Sequence, residues 1–347
     1  MRLLIDGIRK EELSRFIKTL NWPQFRSRQI YQWVFSKCVT NISEMTNLSK
    51  EMQKKLQESC GFSALDVIKV QVSKEENTKK WLCEFSDGAR VEMVLMRHSF
   101  GNSLCISTQA GCAMGCLFCA STLNGLERNL TAGELFAQVR LAQKELFSQG
   151  EKLNNLILMG TGEPLHNLKE VLVFLENIHD PEGMNFSYRR VTLSTCGIIP
   201  GITELIEAKL PINLAISLHA SNDGVRSELM PINRTYPMSE LIEIAQKYAE
   251  SSGRRITYEY LLIENLNDQK RHAEELIALL KGKLASVNLI PYNPVQEKSF
   301  KRSKDKDIQQ FYKLIEKSGI PVSVRREMGK DIDAACGQLR FNSKKGE

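Results

Sequence analysis

From residue 103 onward, strand-length apolar runs alternate with helix-length ones, and this rhythm restricts the fold more than any other feature of the chain. Strands are predicted near 103–108, 155–160, 190–195, 212–218, 256–263, 286–290 and 320–325, with helices near 131–149, 167–179, 201–209, 238–251, 268–282 and 304–318 between them. Such a series builds a parallel sheet, because a strand followed by a crossover helix returns in the same direction. An open doubly wound sheet and an incomplete barrel both satisfy it. The polar clusters select the barrel. Gly160-Thr161-Gly162-Glu163-Pro164, Ser194-Thr195, Ser217-Leu218-His219, Tyr292-Asn293-Pro294 and a cysteine loop all fall at the C-terminal ends of successive predicted strands, the face on which barrels place their active sites. An open sheet would gather such residues at one switch point. The expected fold is α/β, a partial (β/α)6-type barrel.

Composition shifts near residue 75 divide the chain further. Residues 8 to 60 read as short amphipathic helices, with Leu13, Phe16, Ile17 and Leu20 on one face and Ile30, Trp33 and Val34 on another, broken at Pro23 and at Asn47-Leu48-Ser49. The stretches Lys80 to Phe85 and Arg90 to Arg97, joined by Asp87-Gly88, read as a hairpin. The expected organisation is a helical accessory domain over 1–75, a linking hairpin over 76–98, the core barrel over 99–340 and a basic tail over 341–347. With 347 residues, 42% of them apolar and 25% charged, the chain has the makings of an ordinary globular protein. It shows no long apolar run of the kind a membrane span needs, no signal-peptide pattern, and nine cysteines without disulfide-framework spacing. It therefore reads as cytoplasmic. The net charge of +6 gathers at Lys298-Ser299-Phe300-Lys301-Arg302-Ser303-Lys304, Arg325-Arg326 and Lys344-Lys345, patches that suit a phosphate backbone but are also ordinary on a solvated surface.

The cysteine loop is Gly111-Cys112-Ala113-Met114-Gly115-Cys116-Leu117-Phe118-Cys119. Its C-x3-C-x2-C spacing lets Cys112, Cys116 and Cys119 bind three irons of a 4Fe-4S cluster and leaves the fourth iron for a small molecule. An aromatic just before the last cysteine points to S-adenosylmethionine (SAM) as that ligand, the pattern of the radical SAM enzymes. The alternative is a structural zinc site completed by Cys105 or His98. Around such a cofactor, Glu163 can accept from the methionine amine, backbone near Gly162 can approach closely, and Ser194, Ser217 with Leu218 and His219, and Asn293 offer neutral contacts. His219 also has a purely structural reading. Cys105 on the first strand and Cys336 beyond the last could both reach the barrel mouth, or could be buried small residues.

The chain resembles the RlmN/Cfr family of radical SAM RNA methyltransferases. The resemblance rests on Cys105-Ile106-Ser107-Thr108-Gln109-Ala110-Gly111-Cys112, the three-cysteine loop, Gly162-Glu163-Pro164-Leu165, Arg189-Arg190-Val191-Thr192-Leu193-Ser194-Thr195, Ala215-Ile216-Ser217-Leu218-His219-Ala220, Met230-Pro231-Ile232-Asn233 and Asp331-Ile332-Asp333-Ala334-Ala335-Cys336-Gly337-Gln338-Leu339. Phe25-Arg26-Ser27-Arg28-Gln29-Ile30-Tyr31-Gln32-Trp33 and Glu44-Met45-Thr46-Asn47-Leu48-Ser49 resemble the RlmN side of the family rather than the Cfr side. That resemblance implies methylation of carbon 2 of an adenine in 23S ribosomal RNA, at the peptidyl transferase centre, and in some members of the tRNA anticodon loop. It implies two SAM molecules per turnover, one as methyl donor and one as radical source. The residue matching the methylated carrier is Cys336, the resolving thiol that pairs with it in a disulfide is Cys105, and the general base is Glu92. A one-electron donor such as flavodoxin or ferredoxin is implied as partner. Thr161 stands where the family usually has methionine, and Cys196 where serine is frequent. The competing readings are adenine C8 methylation, radical chemistry on a protein or metabolite, and a zinc-stabilised RNA-binding protein.

Overall fold

A computed structural model describes residues 2–326, 328–335 and 337–339; Cys336 and the basic tail lie outside the described residues. Ten strands form one continuous sheet whose spatial order follows the order of the chain. They are Asp66–Val72, Thr78–Glu84, Arg90–His98, Gly101–Cys105, Leu153–Leu158, Val191–Thr195, Asn213–Ser217, Ile256–Leu262, Ala285–Pro291 and Val322–Val324. The last seven run parallel, and among the described residues nothing pairs the two outer strands into a closed ring. The fold is the expected partial barrel. The hairpin between Thr78–Glu84 and Arg90–His98 continues the barrel's sheet in antiparallel sense. Asp66–Val72, within the stretch that composition assigns to helices, is a strand at the edge of that sheet, and its Val67, Ile68, Val70 and Val72 are exposed.

Alternation along the strands separates the helix-covered face from the interior. Along Ile256–Leu262, Tyr258, Tyr260 and Leu262 enter the main core under the helices, while Leu261 joins a smaller cluster with Cys116 and Glu259 lines the interior. The helices Ala132–Ser148, Leu168–His179, Ile199–Glu207, Met238–Ser252, Lys270–Leu280 and Asp305–Lys317 cover the outside. The first starts sharply, because Thr131 and Glu134 cap each other: the Glu134 amide donates to Thr131 Oγ1 at 3.3 Å and the Thr131 amide to Glu134 Oε2 at 2.8 Å. A short helix, Asp223–Leu229, has no counterpart in the apolar rhythm.

The N-terminal helices Lys10–Thr19, Phe25–Tyr31 and Lys50–Ser59 share that core, with the Phe35 and Phe136 rings 4.7 Å apart. A buried ion pair pins this region to the barrel: Arg140 Nη1 lies 2.6 Å from Asp6 Oδ2, Asp6 accepts from the Ser63 amide at 3.0 Å, and Arg140 Nη2 donates to the Ser63 carbonyl at 2.7 Å. Among the described residues no helix is long and apolar enough to cross a membrane.

Candidate active site

A cavity opens at the C-terminal ends of the parallel strands, lined by all three loop cysteines together with Gly162, Glu163, Ser194, Ser217, His219 and Asn293. The loop leaves the first parallel strand through a small hairpin of Gln109–Gly111 with Leu126–Asn129. Gly111 has φ +76°, and a side chain there would overlap the Gly125 carbonyl oxygen. The Cys112 amide donates to that carbonyl at 2.9 Å, and Thr122 Oγ1 donates to the carbonyls of Cys116 and Cys119 at 3.1 and 3.0 Å. From outside the loop, the Leu117 amide donates to Leu229 O and the Ala120 amide to Gly337 O, both at 2.9 Å. Cys112 and Cys116 are buried, and burial pushes the Cys112 thiol up to about 12 and the Cys116 thiol well above its ordinary value. The Met114 amide, hydrogen-bonded to Cys112, pulls the other way. Such thiols stay protonated until a soft metal displaces the proton. A set of three held by one braced loop fits an iron–sulfur cluster with one iron left over.

The next strand end supplies Gly162 and Glu163. Gly162 has φ +108°, and a Cβ there would lie 2.6 Å from the Gln109 Cβ, so the backbone passes close to the cysteine loop only because the residue is glycine. Glu163 is buried, and its carboxylate accepts from the Leu165 amide at 3.0 Å and the Cys196 amide at 2.8 Å. Burial raises its pKa. The Thr195 and Cys196 side chains also hydrogen-bond to the carboxylate, so Glu163 fastens the loop after Val191–Thr195 at the cavity wall. Ser194 Oγ and Ser217 Oγ lie 3.3 Å apart across neighbouring strands. His219 is neutral, its pKa pushed down to about 3 by burial, and Nδ1 accepts from the Leu261 amide at 3.0 Å. Its ring meets Phe118 of the cysteine loop edge-on at 4.9 Å, so the residue has both its structural and its cavity-facing role. Leu218 differs from the rest of the set: its side chain is buried in the main core, and its amide donates to the Glu259 carbonyl at 3.1 Å.

Cys105, on the first parallel strand, pairs with Val94 of the antiparallel strand Arg90–His98 and lines a smaller cavity with Ala334 and Ala335. Asn293, Ile290 and Arg325 line both cavities, so the two adjoin. Glu92 sits two residues before Val94, on the same strand face. It is buried and ion-paired to Lys80 at 3.0 Å, and Lys80 Nζ also donates to the Asp333 carbonyl at 3.0 Å. Ala335 and Gly337, the neighbours of Cys336 in sequence, line the smaller and the larger cavity respectively.

Sequence reasoning missed two residues here, Glu259 and Arg226. Glu259 lines the main cavity and accepts from Asn288 Nδ2 at 2.8 Å. It lies in register with Ser217 and Asn288, and Asn288 with Ser323, so a polar row crosses four strands. Its signal was a lone carboxylate inside an apolar strand. Cys196 lies in the same cavity, and Arg226 lies fully buried behind it.

A partial parallel barrel with a three-cysteine loop at its C-terminal mouth defines a radical SAM protein, and residues 106–277 match the Radical SAM superfamily. Membership in that superfamily implies a 4Fe-4S cluster and SAM. Residues 4–61 match the ribosomal RNA large subunit methyltransferase N-terminal domain. The chain is 50% identical, over 98% of its length and 96% of the relative's, to a probable dual-specificity RNA methyltransferase RlmN of Desulforamulus reducens. It is 46% identical to the protein so described in Clostridium novyi, over 96% of each chain. The crystal structure of a radical SAM methyltransferase from Sphaerobacter thermophilus superposes with a TM-score of 0.94 at 40% identity, covering 98% of this chain and 99% of that one. The chain belongs to the RlmN family of radical SAM RNA methyltransferases.

Proposed function

We propose that this protein methylates carbon 2 of an adenine in 23S ribosomal RNA, and of an adenine in the tRNA anticodon loop, with Cys336 as methyl carrier and Cys105 as resolving thiol. The observation that carries this reading is the adjoining of the two cavities, one lined by Cys112, Cys116 and Cys119 and the other by Cys105. Carbon 2 of adenine is a poor nucleophile, so direct attack on a sulfonium methyl is unpromising. The cluster and SAM, when bound, supply one-electron cleavage chemistry and the methyl group. The chain's own residues do the rest. Cys112, Cys116 and Cys119 hold the cluster. The Gly162 backbone, Glu163, Ser194, Ser217, His219 and Asn293 orient SAM in a cavity shielded by Phe118 and Tyr292.

Cys105, buried at the end of its strand, is the thiol that forms a disulfide with the carrier and so releases the RNA. Glu92 is the general base, held by Lys80 on the face that carries Val94 and Cys105. The adenine has to leave its stack to enter, and basic stretches such as 298–304, together with the N-terminal helices, suit contacts with phosphates that do not read sequence. A flavodoxin- or ferredoxin-like protein in the cytoplasm delivers the electrons.

The test is incubation of anaerobically reconstituted protein with SAM, a reductant and protein-free large-subunit RNA, followed by nucleoside mass spectrometry. 2-Methyladenosine with the intact protein, absent with Cys336→Ala, is the expected result. 8-Methyladenosine overturns the position assignment. SAM cleavage without any methylated adenosine, with ribosomal and transfer RNA alike, overturns the substrate.

A further inference from the structure

Arg226 is fully buried, yet among the described residues its guanidinium has no carboxylate on it. Nη2 donates to the carbonyls of Cys196 at 2.6 Å and Ser217 at 3.2 Å, Nε donates to Leu218 O at 3.2 Å, and Nη1 donates to Asn233 Oδ1 at 2.8 Å. Every acceptor is neutral. The nearest acid, Asp223, is exposed and reaches Arg226 only through Asn233, whose Nδ2 donates to Asp223 Oδ1 at 2.8 Å. This gives Asn233, at the end of Met230-Pro231-Ile232-Asn233, a task. A buried cation without a counter-ion is costly, so its persistence calls for a negative charge that arrives later.

The direction from which that charge comes is set by packing. Three of the four acceptors lie at or just beyond the ends of the strands Val191–Thr195 and Asn213–Ser217, where Cys196 and Ser217 line the cavity. The helix that carries Arg226 receives the Leu117 amide on its Leu229 carbonyl at 2.9 Å, and Cys116, Cys196, Leu229 and Met230 form one apolar cluster. Arg226 thus stands directly behind the cysteine loop. A 4Fe-4S cluster on three thiolates carries one net negative charge when oxidised and two when reduced, so a fixed cation behind it favours the reduced form.

We propose that Arg226, held by Asn233, is the counter-charge of the iron–sulfur cluster and raises its reduction potential, which eases the electron transfer that SAM cleavage requires. The proposal rests on the cluster being held by Cys112, Cys116 and Cys119. Arg226 is a positioning residue here, acting through the cluster rather than on substrate. In keeping with this, Cys116 and Cys196 are, after burial itself, the groups that bear most on its ionisation.

The experiment is a redox titration, followed by electron paramagnetic resonance, of anaerobically reconstituted wild type, Arg226→Gln, Arg226→Lys and Asp223→Asn, each with iron and sulfide analysis. Arg226→Gln is expected to make reduction about tenfold less favourable, ~59 mV for a one-electron couple. Arg226→Lys is expected to hold the wild-type potential, and Asp223→Asn to shift it slightly upward. A wild-type potential in Arg226→Gln, or an equal fall in Arg226→Lys, overturns the proposal in favour of a purely structural role. If Arg226→Gln takes up no cluster, Asp223→Asn decides: an upward shift upholds the proposal, and no shift or a fall overturns it. Wild-type protein that binds no iron and sulfide would instead sink the cluster reading itself, and the counter-charge with it.

Discussion

Arg140 and Arg226 are both buried guanidiniums, and they are held in opposite ways. Arg140 ties the N-terminal helices to the barrel and is complete in itself. It has Asp6 at 2.6 Å, the Ser63 carbonyl at 2.7 Å and the faces of Phe62 and Phe136 at 5.2 and 5.9 Å. Arg226 has carbonyls and one amide oxygen. The same contrast runs through their surroundings. Around Arg140 every charge is met within the fold. At the barrel mouth, Cys112, Cys116, Glu163 and Glu259 are buried groups whose ionised forms are disfavoured by the protein alone. One region is folded for its own stability and the other for a ligand, so ligand-dependent order belongs at the mouth.

Removing the ligand's anchor is the severest way to test that difference. Cys116→Ala is expected to abolish the visible absorbance of reconstituted protein. In the wild type, cluster assembly should slow amide exchange across 111–125 and 226–233 while leaving the backbone around Asp6 and Arg140 unchanged; equal protection in both places would erase the distinction. Next in size is Asp6→Ala, which leaves Arg140 buried without its anion and should cost about 3–5 kcal/mol in denaturant unfolding. A loss under about 1 kcal/mol would mean that the Ser63 carbonyl and the two rings suffice.

His219 gives a smaller, pH-dependent effect. Its folded pKa near 3 lies below the ordinary value of 6.5, so the unfolded chain binds the proton first. Its stabilisation is complete above about pH 6.5 and is lost as pH falls toward the folded value. Between pH 7.5 and 5, wild type should lose about 2 kcal/mol more than His219→Gln does, the difference cancelling the opposing contributions of Glu163 and Glu259. Identical slopes for the two proteins would show that His219 is not held neutral. The smallest change is Lys247→Ala, which removes a pair with Glu243 that is more than half exposed at both ends. Thermal unfolding should register little or no change, and a loss approaching that of Asp6→Ala would dissolve the contrast between met and unmet burial.

The barrel and its mouth were largely legible because both repeat. Apolar runs of two lengths alternate from residue 103, and a polar cluster follows strand after strand, so Cys112, Glu163, Ser194, Ser217 and His219 announce themselves by position. What stayed hidden depends on register or on surroundings that arrive from afar. Lys80 and Glu92 meet diagonally across neighbouring strands, a pairing fixed by the sheet and not by the spacing of the two residues. Arg226 looks like any charged residue of a short helix until the loops after Thr195 and Ser217 wrap it. Asp66–Val72 escaped because its valines and isoleucine face solvent at an edge, where neither a helical nor a half-buried strand pattern is enforced.

The sheet's spatial order carries a consequence for synthesis. Every strand of the sheet after the first hydrogen-bonds to the strand of that sheet that precedes it in the chain, so no early strand waits for a late one to slip between it and its neighbour. A chain leaving the ribosome can lay down the sheet by accretion, one strand and crossover at a time. The cysteine loop emerges well before the residues that brace it. Cys112 to Cys119 appear first, the Arg226 helix follows about a hundred residues later, and the segment around Gly337, whose carbonyl receives the Ala120 amide, comes last. The mouth is therefore fastened only after the sheet that carries it has been laid down.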